Sequence, residues 1–115
     1  MSEEISEKEY ECPSDTFLQV LKGKCKTTLI MLIQQRRNRF GMMRDALPTI
    51  SARMLAKQLD ELEQDGIIWR KVFSEVPLHV EYYLTDYGQS LYPIVREMRR
   101  WGYIHQEKLK TNSKK

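Results

Sequence analysis

Two basic side chains one helical turn apart, Arg53 and Lys57, sit in the stretch "ISARMLAKQLDELEQDG", which otherwise carries a leucine stripe. A guanidinium can grip a guanine edge through two hydrogen bonds, and an ammonium can neutralise a phosphate as a point charge. Thr49, Ser51, Ala52 and Ala56 flank them, and the two alanines are small enough to allow close approach to a groove. Arg36, Arg37 and Arg39 lie just upstream as candidates for phosphate contacts. Residues 22–57 carry nine bases against Asp45 alone, a local net charge of +8 in a chain whose total is +3. Such a block inside an apolar-patterned region points to a polyanion partner.

The second reactive type is the thiol. Two cysteines are too few for a disulfide scaffold. Cys12 lies just before the expected start of the first helix, where the positive helix end suits a reactive thiol, although five acids within residues 1–11 oppose it. Cys12 is therefore a candidate redox sensor, and Cys25 reads as packing in an apolar segment. Enzyme chemistry finds little support. His79 and His105 have no ligand-spaced partners, and there is neither a phosphate-binding glycine loop nor a nucleophile motif. No catalytic residue, metal or cofactor is expected.

The elements that must position these groups are legible from caps and periodicity. A first helix starts near Ser14 or Asp15, buries Phe17, Leu18 and Leu21, and stops at Gly23. A second runs from about Lys24 to Gln35, with Asn38 as a turn residue, and a short third from Phe40 to Leu47 is ended by Pro48. The fourth has Ser51 at its N-cap, an Ile50–Leu55 staple, a stripe of Leu55, Leu59 and Leu62, and Gly66 just past its end. Its acids, Asp60, Glu61, Glu63 and Asp65, crowd the second half against the helix macrodipole and stay clear of the basic end.

"IIWRKVF" and "HVEYYL", flanking "SEVPL", predict a β-hairpin that carries Arg70, Lys71 and His79. Thr85 caps a long last helix in which Tyr87, Leu91, Ile94, Met98, Trp101 and His105 follow coiled-coil spacing, with Pro93 expected to kink it. That seam suits either the domain's own core or a partner copy. Phe17, Leu21, Tyr92, Val95, Met98, Trp101 and Tyr103 form the expected dimerisation set. The fold class is mainly α with a small β-hairpin wing, a winged helix-turn-helix over residues 12–110, with a frayed acidic segment 1–11 and a basic tail 111–115. No apolar run reaches the roughly 18–20 residues of a membrane span, and the polar N-terminus is no export signal, so a cytoplasmic setting is expected.

These pieces resemble the HxlR-type family of bacterial winged-helix transcriptional regulators. The resemblance rests on "CP" at Cys12–Pro13, "GK" at Gly23–Lys24, "RF" at Arg39–Phe40 and "LPTIS" at Leu47–Ser51. It continues through Arg53–Ile67, Glu75–Gly88 and "WG" at Trp101–Gly102, spanning about residues 12–105 in order. It implies a homodimer that holds a recognition helix in each of two major grooves of a pseudo-palindromic operator and dimerises through its terminal helices. Several such regulators carry a cysteine at the Cys12 position and use it to sense oxidants or electrophiles. One departure stands out: Cys25 replaces the usual tryptophan after the GK pair, a change expected in core packing and not in fold. The rival reading is a winged-helix protein-interaction module without DNA binding, and nine retained bases speak against it.

Overall fold

The computed structural model describes residues 12–23 and 25–113; the expected frayed segment 1–11, Lys24 and residues 114–115 lie outside them. Among the described residues, five helices and one hairpin follow in the order α1 (Pro13–Val20), α2 (Lys26–Gln34), α3 (Phe40–Ala46), α4 (Ala52–Gln64), β1 (Ile68–Phe73), β2 (His79–Leu84) and α5 (Asp86–Ser113). This is the winged helix-turn-helix plan: three helices, α2 to α4, followed by an antiparallel wing whose register pairs Ile68 with Leu84 and Phe73 with His79. The helix α5 runs through Pro93 without a break and continues to Ser113, into the stretch expected as a tail.

The core forms where the apolar periodicities of α2, α4 and α5 converge. Leu29, Ile30 and Ile33 of α2, Met43 of α3, Leu55, Leu59 and Leu62 of α4, and Leu91 and Val95 of α5 are all buried. Each fully buried leucine of α4 contributes about 1.5–3 kcal/mol relative to exposure. The Ser51 Oγ accepts the Met54 N–H at 3.0 Å, so α4 starts where its cap predicts.

Helices α2 and α4 end in the same hydrogen-bond pattern, a Schellman motif. In α4, Gly66 (φ 74°) fills the left-handed position, with Gly66 N–H bonded to Glu63 O and Ile67 N–H to Leu62 O, each at 3.0 Å. In α2 that position is Arg36 (φ 67°), with Arg36 N–H to Ile33 O at 3.1 Å and Arg37 N–H to Leu32 O at 2.9 Å. The turn after α2 is therefore made by Arg36, not by Asn38. Asn38 is buried instead and stitches the α2–α3 loop to the wing: its Nδ2 donates to Tyr82 O, and its carbonyl accepts from Tyr82 N–H, both at 2.9 Å.

The expected burial of Leu18 and the expected dimer-surface roles of Leu21 and Val95 change, whereas Cys25 packs as expected. Leu18 of α1 is 54 % exposed, because only the Phe17–Val20–Leu21 edge of that short helix meets the core. Leu21 and Val95, expected at a dimer surface, are core residues of the protomer, and Val95 is 0 % exposed. Val95 has no surface left to meet a partner, and Leu21, 7 % exposed, has little. Cys25 is the N-cap residue of α2 and part of the core; burial pushes its thiol pKa up, which suits packing better than reactivity.

Candidate nucleic-acid interface

The helix α4 buries its leucines on one side and leaves Ala52, Arg53, Ala56 and Lys57 exposed on the other, with Thr49 and Ser51 exposed just before it. The separation follows from 3.6 residues per turn: positions 55, 59 and 62 share a face, and 53, 56 and 57 do not lie on it. Neither Arg53 nor Lys57 forms an ion pair among the described residues, although Lys57 lies close enough to Glu61 to help lower its pKa, so the exposed charges face outward to a ligand. Arg36 and Arg37 are also exposed, at the turn that precedes α3.

Other bases are already engaged. Lys26, counted in the basic block, is 3 % exposed and pairs with Glu61 of α4 at 3.0 Å, while its Nζ donates to Val20 O at 3.5 Å. The contact holds the Glu61 carboxyl below its ordinary pKa, through the lysine hydrogen bond first. Arg70 of β1 lies 3.7 Å from Glu63, the next acid along α4. The acids in the second half of α4 therefore tie the helix inward to α2 and outward to the wing. They do more than keep negative charge away from a basic end.

Glu81 of β2 is a second hub that sequence reading did not single out. Its carboxylate accepts the Tyr83 hydroxyl, the Nε2 of His79 at 3.0 Å, and the Nη2 of Arg39 at 3.3 Å. Those contacts lower its pKa, the Tyr83 hydrogen bond most. Arg39 thus fastens the start of α3 to the wing, and His79 braces the same carboxylate from within β2. His79 also stacks on Phe73, with ring centres 4.5 Å apart, and Lys71 sits 4.9 Å over the same ring. Glu81 could have been flagged only by the strand register, which puts it opposite Lys71 while its side chain turns to the loop behind.

On α5, Tyr87, Ile94, Met98 and Trp101 are exposed and fall within about 60° of one another around the helix axis. Trp101 is 66 % exposed and stacks on His105 with ring centres 4.9 Å apart. An apolar cavity of about 270 Å³ joins this stripe to α1 through Phe17, Val20, Tyr87 and Ile94. Tyr92 is half-buried against the core. Tyr103 is turned about 140° from Met98 and meets Arg99 instead, so it does not share the stripe. Cys12 is exposed at the N-cap of α1, its carbonyl accepting the Asp15 and Thr16 N–H groups at 2.9 and 3.1 Å.

The exposed basic half of α4, the loop before α3 and the wing place this chain among helix-turn-helix proteins, and the family model for HxlR-like helix-turn-helix proteins matches residues 20–110. The chain belongs to the HxlR-like helix-turn-helix family. Two relatives in Bacillus subtilis strain 168 are named HTH-type transcriptional regulators. YybR is 42 % identical over 100 residues, covering 87 % of this chain and 80 % of its own length. YdeP is 40 % identical over 98 residues, covering 85 % and 77 %. The redox regulator HypR in its reduced form superimposes with a TM-score of 0.80 at 41 % identity, covering 87 % of this chain and 99 % of HypR. Diamide-treated YodB of B. subtilis gives 0.67 at 33 % identity, covering 80 % and 92 %. This HxlR-like protein is accordingly a helix-turn-helix transcriptional regulator and not an enzyme. Among its described residues, no helix is long and apolar enough to cross a membrane.

The left-handed Arg36 carries a consequence for an HxlR-like regulator. A side chain costs roughly 1–2 kcal/mol in a conformation that glycine adopts freely. Arg36→Gly is expected to raise stability by about 0.5–1 kcal/mol in urea unfolding, part of the gain being lost to the looser unfolded chain, while weakening DNA binding. A variant that is both less stable and unchanged on DNA would show that Arg36 serves the fold alone.

Proposed function

We propose that this protein is a cytoplasmic, sequence-specific DNA-binding regulator that acts as a homodimer on a pseudo-palindromic operator and responds to a small molecule or to thiol oxidation. The observation that carries the reading is the division of α4 into a buried leucine face and an exposed basic, small-residue start. In the major groove, Arg53 would contact a base edge while Ala52 and Ala56 let the helix approach. Thr49, Ser51, Lys57, Arg36 and Arg37 would meet phosphates, and Lys71 would reach the flanking backbone from the wing. Arg39, Arg70 and His79 would contribute less, since each already faces a carboxylate.

Dimerisation would use the exposed stripe of α5, chiefly Met98 and Trp101, with Phe17 of α1 beside it and Tyr92 and Tyr103 at the margin. A twofold axis would then set two α4 helices about one helical turn of DNA apart, or a multiple of it. HypR, a redox regulator, and YodB, whose diamide-treated form is among the similar structures, support a thiol response, for which exposed Cys12 is the candidate sensor.

Operator fragments selected from genomic DNA by the purified protein provide the test. Arg53→Ala should weaken the selected site by about 1–3 kcal/mol and relax its sequence preference. Arg37→Ala should weaken all DNA about equally and reduce the slope of log affinity against log salt by about 0.9. If Arg53→Ala leaves operator affinity unchanged, α4 is not the reading helix. Selection that gives the same fragments before and after oxidant treatment, with unchanged affinity, would remove the thiol response.

A further inference from the structure

Helices α2 and α5 line a second cavity, an open groove of about 390 Å³ that contains no residue of α4 or the wing. Met31 and Leu32 of α2 form its floor, and Arg96, Arg99, Arg100 and Tyr103 of α5 form its wall. The volume lies within the roughly 300–1,000 Å³ of small-molecule sites. These α5 residues occupy the face roughly opposite the Tyr87–Trp101 stripe, so a partner seated on that stripe leaves them open.

The charge in this cavity is only partly compensated. Among the described residues, no carboxylate lines it. Arg99 donates from Nη1 to Thr28 Oγ1 at 2.8 Å and from Nη2 to the Tyr103 hydroxyl at 3.2 Å, both neutral partners. Arg96 lies over the Tyr92 ring, 5.9 Å from its centre, and has no acidic partner among the described residues. Arg100 pairs with Glu97 at 3.2 Å, but both side chains are exposed and such a pair holds weakly. The C-terminal end of α2 reaches the cavity at Gln35 and adds roughly half a negative charge, which two unpaired guanidiniums outweigh.

The geometry assigns this cavity as a binding site for an organic anion with a flat apolar body, an aromatic carboxylate. Arg96 and Arg100 present planar forks that match a carboxylate, Arg99 is already held in place by Thr28, and Met31 and Leu32 accept the ring. The assignment rests on the small-molecule response proposed above and names its site and ligand class. It also supplies a route to DNA. Helix α2 touches α4, β2 and α5, so a ligand wedged between α2 and α5 acts on the joint between the dimerising helix and the reading helix.

The test is calorimetric titration of the full-length protein, without DNA, with 2-naphthoate, with the uncharged 2-naphthalenemethanol, and with inorganic phosphate. The expected result is one saturable 2-naphthoate site per chain, with the alcohol and phosphate each at least about tenfold weaker. The double variant Arg96→Gln/Arg100→Gln should lose about tenfold or more in 2-naphthoate affinity while keeping the wild-type circular dichroism and melting temperature. Arg70→Gln, on the wing, should bind as wild type. Absence of saturable binding, equal binding of the alcohol, or an unchanged double variant overturns the site. Because the titration contains no DNA, such a failure leaves operator binding standing, and a failure of operator binding leaves the cavity result standing.

Discussion

A chain carrying Met98→Glu and Trp101→Glu is expected to sediment as a monomer and to lose operator affinity by about 100-fold or more, since a monomer forfeits the second half-site. Both side chains are exposed in the protomer, so the substitutions disturb no protomer core contact. At a twofold interface each is present twice, and each buried, unpaired carboxylate costs several kcal/mol. Analytical ultracentrifugation reads the assembly, and circular dichroism checks that the helices persist. A double variant that stays dimeric at micromolar concentration would move the interface off this stripe. Val95→Ala is the wrong variant for the purpose, because it would open a cavity in the protomer's core and confuse assembly with stability.

The second large effect concerns Gly88, near the start of α5. A Cβ there would lie 2.1 Å from the backbone oxygen of Ile67 and 3.1 Å from its carbonyl carbon. That oxygen belongs to a tight joint: it accepts Thr85 N–H at 3.0 Å, while Thr85 Oγ1 bonds Gly66 O at 2.5 Å and accepts Gly88 N–H at 2.9 Å. Backbone cannot step aside as a side-chain tip can, so Gly88→Ala must push α5 off the α4–β1 turn. The expected loss is about 3 kcal/mol, the upper end for overpacking, or roughly 10–20 °C in Tm. Gly41→Ala is the control: its Cβ would meet nothing within 4 Å on α3, and it should stabilise by about 0.5–1 kcal/mol. Equal melting temperatures for the two variants would refute the close-approach argument.

Much of the architecture was legible from local chemistry. Ser51, the leucine spacing and Gly66 each act within one or two turns, so α4 could be bounded without its neighbours. The two β-rich runs and the SEVPL turn predicted the wing for the same reason. Less local properties were harder to read. The coiled-coil spacing of α5 marked apolar residues correctly but mixed two faces, and only the packing of α2 against α5 separates Leu91 and Val95 in the core from Met98 and Trp101 outside it. Asn38 has the composition of a turn residue and Arg36 does not, yet the chain uses Arg36 for the turn, because buried Asn38 gains two hydrogen bonds to Tyr82.

The basic block shows the division most clearly. By itself the sequence determined that positive charge accumulates between residues 22 and 57, since a count of ionisable groups needs no fold. It also determined that Arg53 and Lys57 lie off the leucine face, since helix periodicity alone sets that. Which charges remain available was decided by tertiary structure. Lys26 is spent inside the protein on Glu61, Arg39 shares Glu81 with His79, and Arg70 leans on Glu63. Glu61 lies 35 residues from Lys26 and Glu81 lies 42 from Arg39, whereas Glu63 is seven residues from Arg70 and Glu81 two from His79. A charge is quenched by whatever the fold brings within a few ångströms, and Coulomb attraction at that range takes no account of sequence distance.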